Sequence, residues 1–287
     1  MEVTFTPSGP YRLGASAGIP DPTRLRRGGL LELAFRAGAE PARARVWQTG
    51  DGLVHARIAS RRPEAAHDRL RRLLRLDVDH RPFHDRARRD PLLRPLWPRM
   101  RAVRPMMAST PEHALVKAVA GQLIRGSEAW KIESRVIRLT CATDGELWSP
   151  PTAAELTAMH GAGLTRAGLS SARASLLHRA ARRLPWRRLE ETRTDEALTR
   201  IRREPGLGPW SAGVVMLYGY GRDDAALIDD LGLVKLARVL GVETTAELVA
   251  PYGEWRGLAS YWLIRHPAAN DRAAAARARR GPAYGAR

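Results

Sequence analysis

Gly206-Leu207-Gly208-Pro209-Trp210-Ser211-Ala212 decides how the rest of the chain reads. It is a Gly-x-Gly turn running into a helix start. The two glycines permit turn dihedrals and close backbone approach, and Pro209 suits a first helical turn, where its missing N–H costs nothing. Ala197, Leu198 and Ile201 give a preceding helix an apolar face, and Leu207 plugs the joint between the two helices. Such a helix-hairpin-helix unit presents free backbone N–H groups to a phosphate and grips it without reading bases. The backbone-gripping candidates are therefore Gly206, Leu207, Gly208, Ser211 and Ala212.

Twenty-two residues beyond Gly208, Asp230 opens the apolar periodicity of Leu233, Leu236 and Leu240, with Gly241 as a stop. A carboxylate at a helix N-terminus is favoured by the macrodipole. As an isolated feature it is a good N-cap. Beside a phosphate grip it is a fixed anion able to stabilise a cationic transition state at a sugar. Asp229 competes for that role, but one residue away on a helix start it points about 100° elsewhere.

The chain of 287 residues carries a net charge of +18, which calls for a polyanionic partner. Its three lysines, Lys117, Lys131 and Lys235, are far outnumbered by arginine, a bias that coding composition alone produces, though not with so large a net charge. One cysteine, Cys141, excludes an intramolecular disulfide, a cysteine-held iron–sulfur cluster and a cysteine-rich zinc site. With no signal-like N-terminus and no run of membrane-span length, a cytoplasmic protein without a membrane partner is expected.

The fold class expected is α+β: residues 1–100 as an antiparallel-sheet domain, 101–270 as a mostly helical body in two lobes, and 271–287 as a basic, frayed tail. Strand-like runs occupy 30–36, 42–48 and 53–58. Thr110-Pro111-Glu112 starts a helix expected to reach Gly126, Ser127 is placed to cap the next, and Thr152-Ala153-Ala154-Glu155 is a capping box. Further helical stripes run through Ala174, Leu177 and Ala181 and through Leu258, Ala259 and Trp262. Asp77, Asp79, His80, His84 and Asp85 crowd nine residues around Pro82 and read as a solvated linker rather than a metal site; the other histidines form no ligand spacing.

From about Pro111 to His266 the chain resembles the helix-hairpin-helix DNA glycosylases, in particular their alkylpurine (3-methyladenine-type) branch. The resemblance rests on Ala118–Ile124, Leu164–Leu169, Gly206–Ala212, Asp230–Leu233 and Glu254-Trp255-Arg256, in that order, with Leu76–Asp79 and Pro82-Phe83 as a lead-in. It implies that Asp230 is the catalytic aspartate and Leu123, with Gln122, the wedge that fills the space of a flipped nucleotide. Trp210 then walls the base pocket, with Val214 where some relatives carry an aromatic and Trp262 as an approximate further pocket aromatic. Double-stranded DNA is the implied partner, a monomer the default state, and the hairpin backbone a possible holder of a monovalent cation; no other cofactor and no metal are implied. Relatives that also nick the strand through a Schiff base carry a lysine where Trp210 stands. Lys235, five residues past Asp230, lies roughly 140° around the helix and cannot share its face, so the implied enzyme is monofunctional and leaves an abasic site. The alternative is a helix-hairpin-helix protein that binds DNA or recognises damage without cleaving.

Overall fold

Strict alternation builds the sheet. In β4 (Glu40–Gln48) Ala42, Ala44 and Val46 turn inward while Arg43 and Arg45 turn out, and in β5 (Val54–Ser60) Val54, Ala56 and Ile58 do the same. In this computed structural model, which describes residues 1–143 and 145–269, five antiparallel strands follow the order β1-β5-β4-β3-β2. The central strands, β3 (Leu30–Ala37), β4 and β5, fall on the three predicted runs. The edges, β1 (Glu2–Phe5) and β2 (Arg24–Arg27), were not predicted. Both have only four residues, and Arg-Leu-Arg-Arg lacks an apolar alternation to read. Short, charged edges also resist pairing with other chains.

Helix α1 (Pro63–Leu73) lays Ala66, Leu70 and Leu73 on the sheet and closes the first core. The second core is helical. Its main elements are α2 (Arg81–Arg89), α3 (Pro111–Gly121), α4 (Gly126–Thr140), α5 (Ser171–Arg183), α6 (Thr194–Arg202), α7 (Pro209–Val214), α8 (Leu231–Leu240) and α9 (Arg256–Leu263). The two cores interleave along the chain: Phe83 to Met100 packs in the helical core, while Met106 and Met107 return to that of the sheet. No single residue therefore separates the lobes. Residues 270–287, with the expected tail, lie outside the described residues.

Local signals behave as their chemistry requires. Thr110 Oγ1 accepts from His113 N at 3.1 Å, Thr152 and Glu155 form a reciprocal capping box, and Gly241 ends α8 at φ +74°. Two expectations are corrected. The helix expected to reach Gly126 stops at Gly121, because Gln122 turns extended (ψ 121°) and Leu123 enters the left-handed region. The next helix then starts at Gly126 with Arg125 as N-cap and no side-chain cap, leaving Ser127 inside the first turn. Cys141 is a buried C-cap residue, its thiol pushed up to about 12 by burial. Among the described residues no helix is long and apolar enough to cross a membrane.

Candidate active site

The hairpin joins α6 to α7 through 203–208. Gly206 takes φ +99° with its α-carbon against Leu176: a Cβ there would come within 3.0 Å of Leu176 Cδ2. Leu207 is buried between the helices, its N–H donating to Glu204 O at 3.0 Å. Gly208 is the N-cap of α7, with extended backbone, no side-chain cap and open space beside its α-carbon. Pro209 opens the helix, so the amides aimed outward are those of Gly208, Trp210 and Ser211. Ala212 is set apart from the predicted grip, since its N–H donates to Gly208 O at 3.0 Å, and the Ser211 side chain is buried. Of the hairpin carbonyls, Pro205 O accepts from Arg179 at 3.0 Å and Gly206 O from Gln122 at 2.8 Å.

Trp210 and Asp230 meet. The indole Nε1 donates to Asp230 Oδ2 at 3.0 Å, while Asp230 Oδ1 accepts from Gly232 N at 2.9 Å as the N-cap of α8. The carboxylate is thus held by both oxygens, partly exposed. Asp229 is tied elsewhere. It sits at φ +65°, its N–H donates to Thr245 Oγ1 at 3.0 Å, and that hydroxyl donates back to Asp229 Oδ1 at 3.2 Å. This pairing fixes the turn that delivers Asp230.

Leu123 is fully exposed, at 100 %, and has φ +55°. Gln122 ties it to the hairpin: its Nε2 donates to Gly206 O at 2.8 Å and to Ser211 Oγ at 3.2 Å. The Gln122–Leu123 turn, the hairpin and Asp230 therefore form one hydrogen-bonded unit assembled from α3, α7 and the start of α8. Gly121 completes it. A Cβ there would fall 2.7 Å from Trp210 Cη2 and 3.6 Å from Cζ2 and Cζ3, so only glycine lets the edge of the indole reach the end of α3. Gly121→Ala is expected to push Trp210 off Asp230, changing tryptophan near-UV dichroism and lowering any Asp230-dependent rate about tenfold. An unchanged tryptophan signal and rate would contradict this.

Two sequence-predicted pocket residues are corrected. Val214 is buried at 3 % exposure, one turn into the helical core. Trp262 has no exposed surface and packs edge-on to Phe83 at 5.0 Å, beside His84 and Trp97. Both serve the core rather than an open face. Packed with the same core, Tyr218 and buried Tyr261 pair edge-to-face at 6.4 Å, with the Arg265 guanidinium 4.1 Å from the centre of the Tyr261 ring. Burial, with the nearby Tyr261 phenol, raises the Tyr218 phenol, against the opposing pull of Arg265. The sequence hid this pair because α7 continues into a π-turn, Val215–Gly219, and the extra residue displaces every later side chain from α-helical spacing.

The expected solvated linker is corrected as well. Asp79 is exposed and pairs with Arg81, but His80 and His84 are buried. His80 Nε2 lies 3.0 Å from Asp223 Oδ2, which also accepts from buried Arg75 at 2.5 Å. The missing signal was the partner, 143 residues away. Likewise His113, which had no ligand spacing in sequence, converges with Asp21 and Glu133; among the described residues this is the one group whose side-chain atoms approach as metal ligands would. Glu133 is already engaged by His113 Nε2 at 2.9 Å and Lys117 Nζ at 3.0 Å. Burial pushes its carboxyl up, but Lys117 and His113 outweigh that and hold it at about 2. Lys131 pairs with Glu128 at 2.8 Å.

No family model and no curated protein sequence matches the chain. Solved structures do. The chain is similar to a 3-methyladenine DNA glycosylase from Archaeoglobus fulgidus, with TM-score 0.79 and 17 % identity over 92 % of this chain and 97 % of that one. It is similar to the apo form of an 8-oxoguanine glycosylase/lyase from Clostridium acetobutylicum, with TM-score 0.73 and 14 % identity over 92 % and 96 %. A 3-methyladenine DNA glycosylase from Schizosaccharomyces pombe in complex with abasic DNA matches at TM-score 0.52 and 23 % identity, over 62 % of this chain and 92 % of that one. The chain therefore has the fold of the helix-hairpin-helix DNA glycosylases, including the sheet domain in front of the helical body.

Proposed function

We propose that this protein is a DNA glycosylase of base excision repair that releases alkylated purines and leaves an abasic site. The observation that carries the reading is the single unit joining an exposed wedge, a phosphate-gripping hairpin and a half-exposed carboxylate: Leu123–Gln122–Gly206/Ser211 and Trp210–Asp230. A base inside a duplex must leave the stack before its bond to the sugar can be reached. The hairpin amides would hold the backbone, Leu123 would fill the vacated stack, and Asp230 would face the deoxyribose. As the N-glycosidic bond breaks, the sugar becomes cationic, and a fixed carboxylate stabilises that state more than the ground state. Water then captures the sugar. Trp210 supplies a π-face suited to an electron-poor alkylated base.

Monofunctional chemistry follows from the lysines in this reading. The hairpin's second helix carries Trp210 where a Schiff-base lysine would be needed, and Lys117 is tied to Glu133. Methylated duplex DNA incubated with the protein should release 3-methyladenine or 7-methylguanine, identified by chromatography of the free bases. Borohydride added during turnover should trap no covalent protein–DNA adduct. A trapped adduct would transfer the protein to the lyase class, and DNA binding without release of any base would favour the non-enzymatic alternative.

A further inference from the structure

Leu123 poses a physical problem. The left-handed region is costly for a side chain with a Cβ, and such strain persists only where the surroundings impose it. Its own side chain is fully exposed and touches nothing that could impose it. The conformation must be held by the backbone on either side.

One anchor is Gln122, through its amide to the hairpin. The other comes from α5. Arg173 Nη2 donates to the carbonyl oxygen of Gln122, the peptide group that leads directly into Leu123. Three residues on, Leu176 packs against Gly206. Three further on, Arg179 donates to Pro205 O at 3.0 Å and, through Nε, to Glu204 Oε1 at 2.9 Å. This spacing puts the three on one side of α5, so a single helix side touches both the wedge turn and the hairpin.

We propose that Arg173 is the positioning residue of the wedge. It latches the Gln122 carbonyl to the helix that also seats the hairpin, so that Leu123 stands raised at a set separation from the phosphate grip. Arg173 then acts on extrusion of the damaged nucleotide rather than on bond cleavage. The proposal rests on the glycosylase reading for its consequence, but not for its geometry.

The test compares wild type, Arg173→Ala and Arg173→Lys in two measurements. The first is single-turnover base release from a methylated purine in matched duplex and from the same lesion opposite an abasic gap, where no base pair has to be broken. Arg173→Ala should slow release from matched duplex on the order of tenfold. The deficit should fall to about twofold on the gapped substrate, and Arg173→Lys, which keeps a donor, should recover most of the rate. Equal slowing on both substrates, or no slowing on either, would overturn the proposal. The second measurement is amide hydrogen exchange across 121–126 in the free protein, which should quicken in Arg173→Ala and return toward wild type in Arg173→Lys. Unchanged exchange in Arg173→Ala would also overturn it. If the wild type releases no base from either substrate, the glycosylase reading fails, and the exchange experiment still decides the latch.

Discussion

Asp230→Asn is expected to lower base release on the order of 10³-fold while duplex binding survives. The magnitude follows from what the carboxylate would do. An anion placed beforehand at the sugar costs no reorganisation as positive charge develops, and a neutral amide gives up most of that attraction. Binding should persist or tighten, because the change removes one negative charge from a surface meant for phosphates. The substitution is not silent in the free protein. The carboxylate accepts from Trp210 Nε1 with one oxygen and from Gly232 N with the other. An amide has one accepting oxygen, so it keeps one of these bonds and turns an NH2 toward the other donor. Thermal melting should therefore accompany the kinetics, with loss of an N-cap bond costing about 1 kcal/mol. Retention of release by a folded Asp230→Asn would remove Asp230 from the chemistry. Loss of both release and binding would leave its role as structural.

The second large effect is on stability. Burial lowers His84 to about 4, helped by the positive surroundings of His80, Arg104 and Arg88, and neither of its ring nitrogens has a hydrogen-bond partner among the described residues. Burial also lowers His80, against the opposing pull of Asp223. In the unfolded chain these rings titrate near 6.5. Both are neutral in each state above that value, and their contribution is then complete. As pH falls below about 6.5 the unfolded chain takes up protons that the folded protein refuses, so stability drops until the folded values are reached. His84 alone should cost about 2 kcal/mol between pH 7.5 and pH 5. That corresponds to a melting shift of roughly 4–8 °C for a chain of this size. Stopping at pH 5 keeps the measurement above the range in which unfolded carboxylates titrate. His84→Phe, which retains a ring against Trp97 and Trp262, should flatten the slope. An equally steep slope in that variant would assign the acid sensitivity elsewhere.

What could be read in the sequence was whatever is local. The Gly206–Ala212 turn, the Asp230 cap and the Thr152 capping box each depend on residues within a few positions, so spacing alone shows them. The three central strands were equally legible because they are half-buried and alternate cleanly. Long-range pairing was not legible. His80 looked solvated because its partner Asp223 is remote in sequence, and His113 gave no sign of meeting Asp21 and Glu133. The pocket suffered most. The resemblance put Val214 at the pocket, whereas it lies in the core, and nothing in the residues 215–219 announces the π-turn that follows it. Leu123 was expected on a helix reaching Gly126, whereas the helix ends at Gly121 and the leucine stands exposed on a turn.

That raised leucine also bears on how lesions would be found. Because the free protein already holds Leu123 up, no part of the wedge has to fold when DNA arrives, and the distortion falls on the duplex. The cost of inserting a leucine depends on how strongly neighbouring bases stack and how easily the step opens. A protein that reads no base edges through its hairpin would then still discriminate among sequences, through the stiffness of the DNA. Lesions within pliable pyrimidine–purine steps would be met sooner than the same lesions in rigid A-tracts, a bias in search rather than in chemistry.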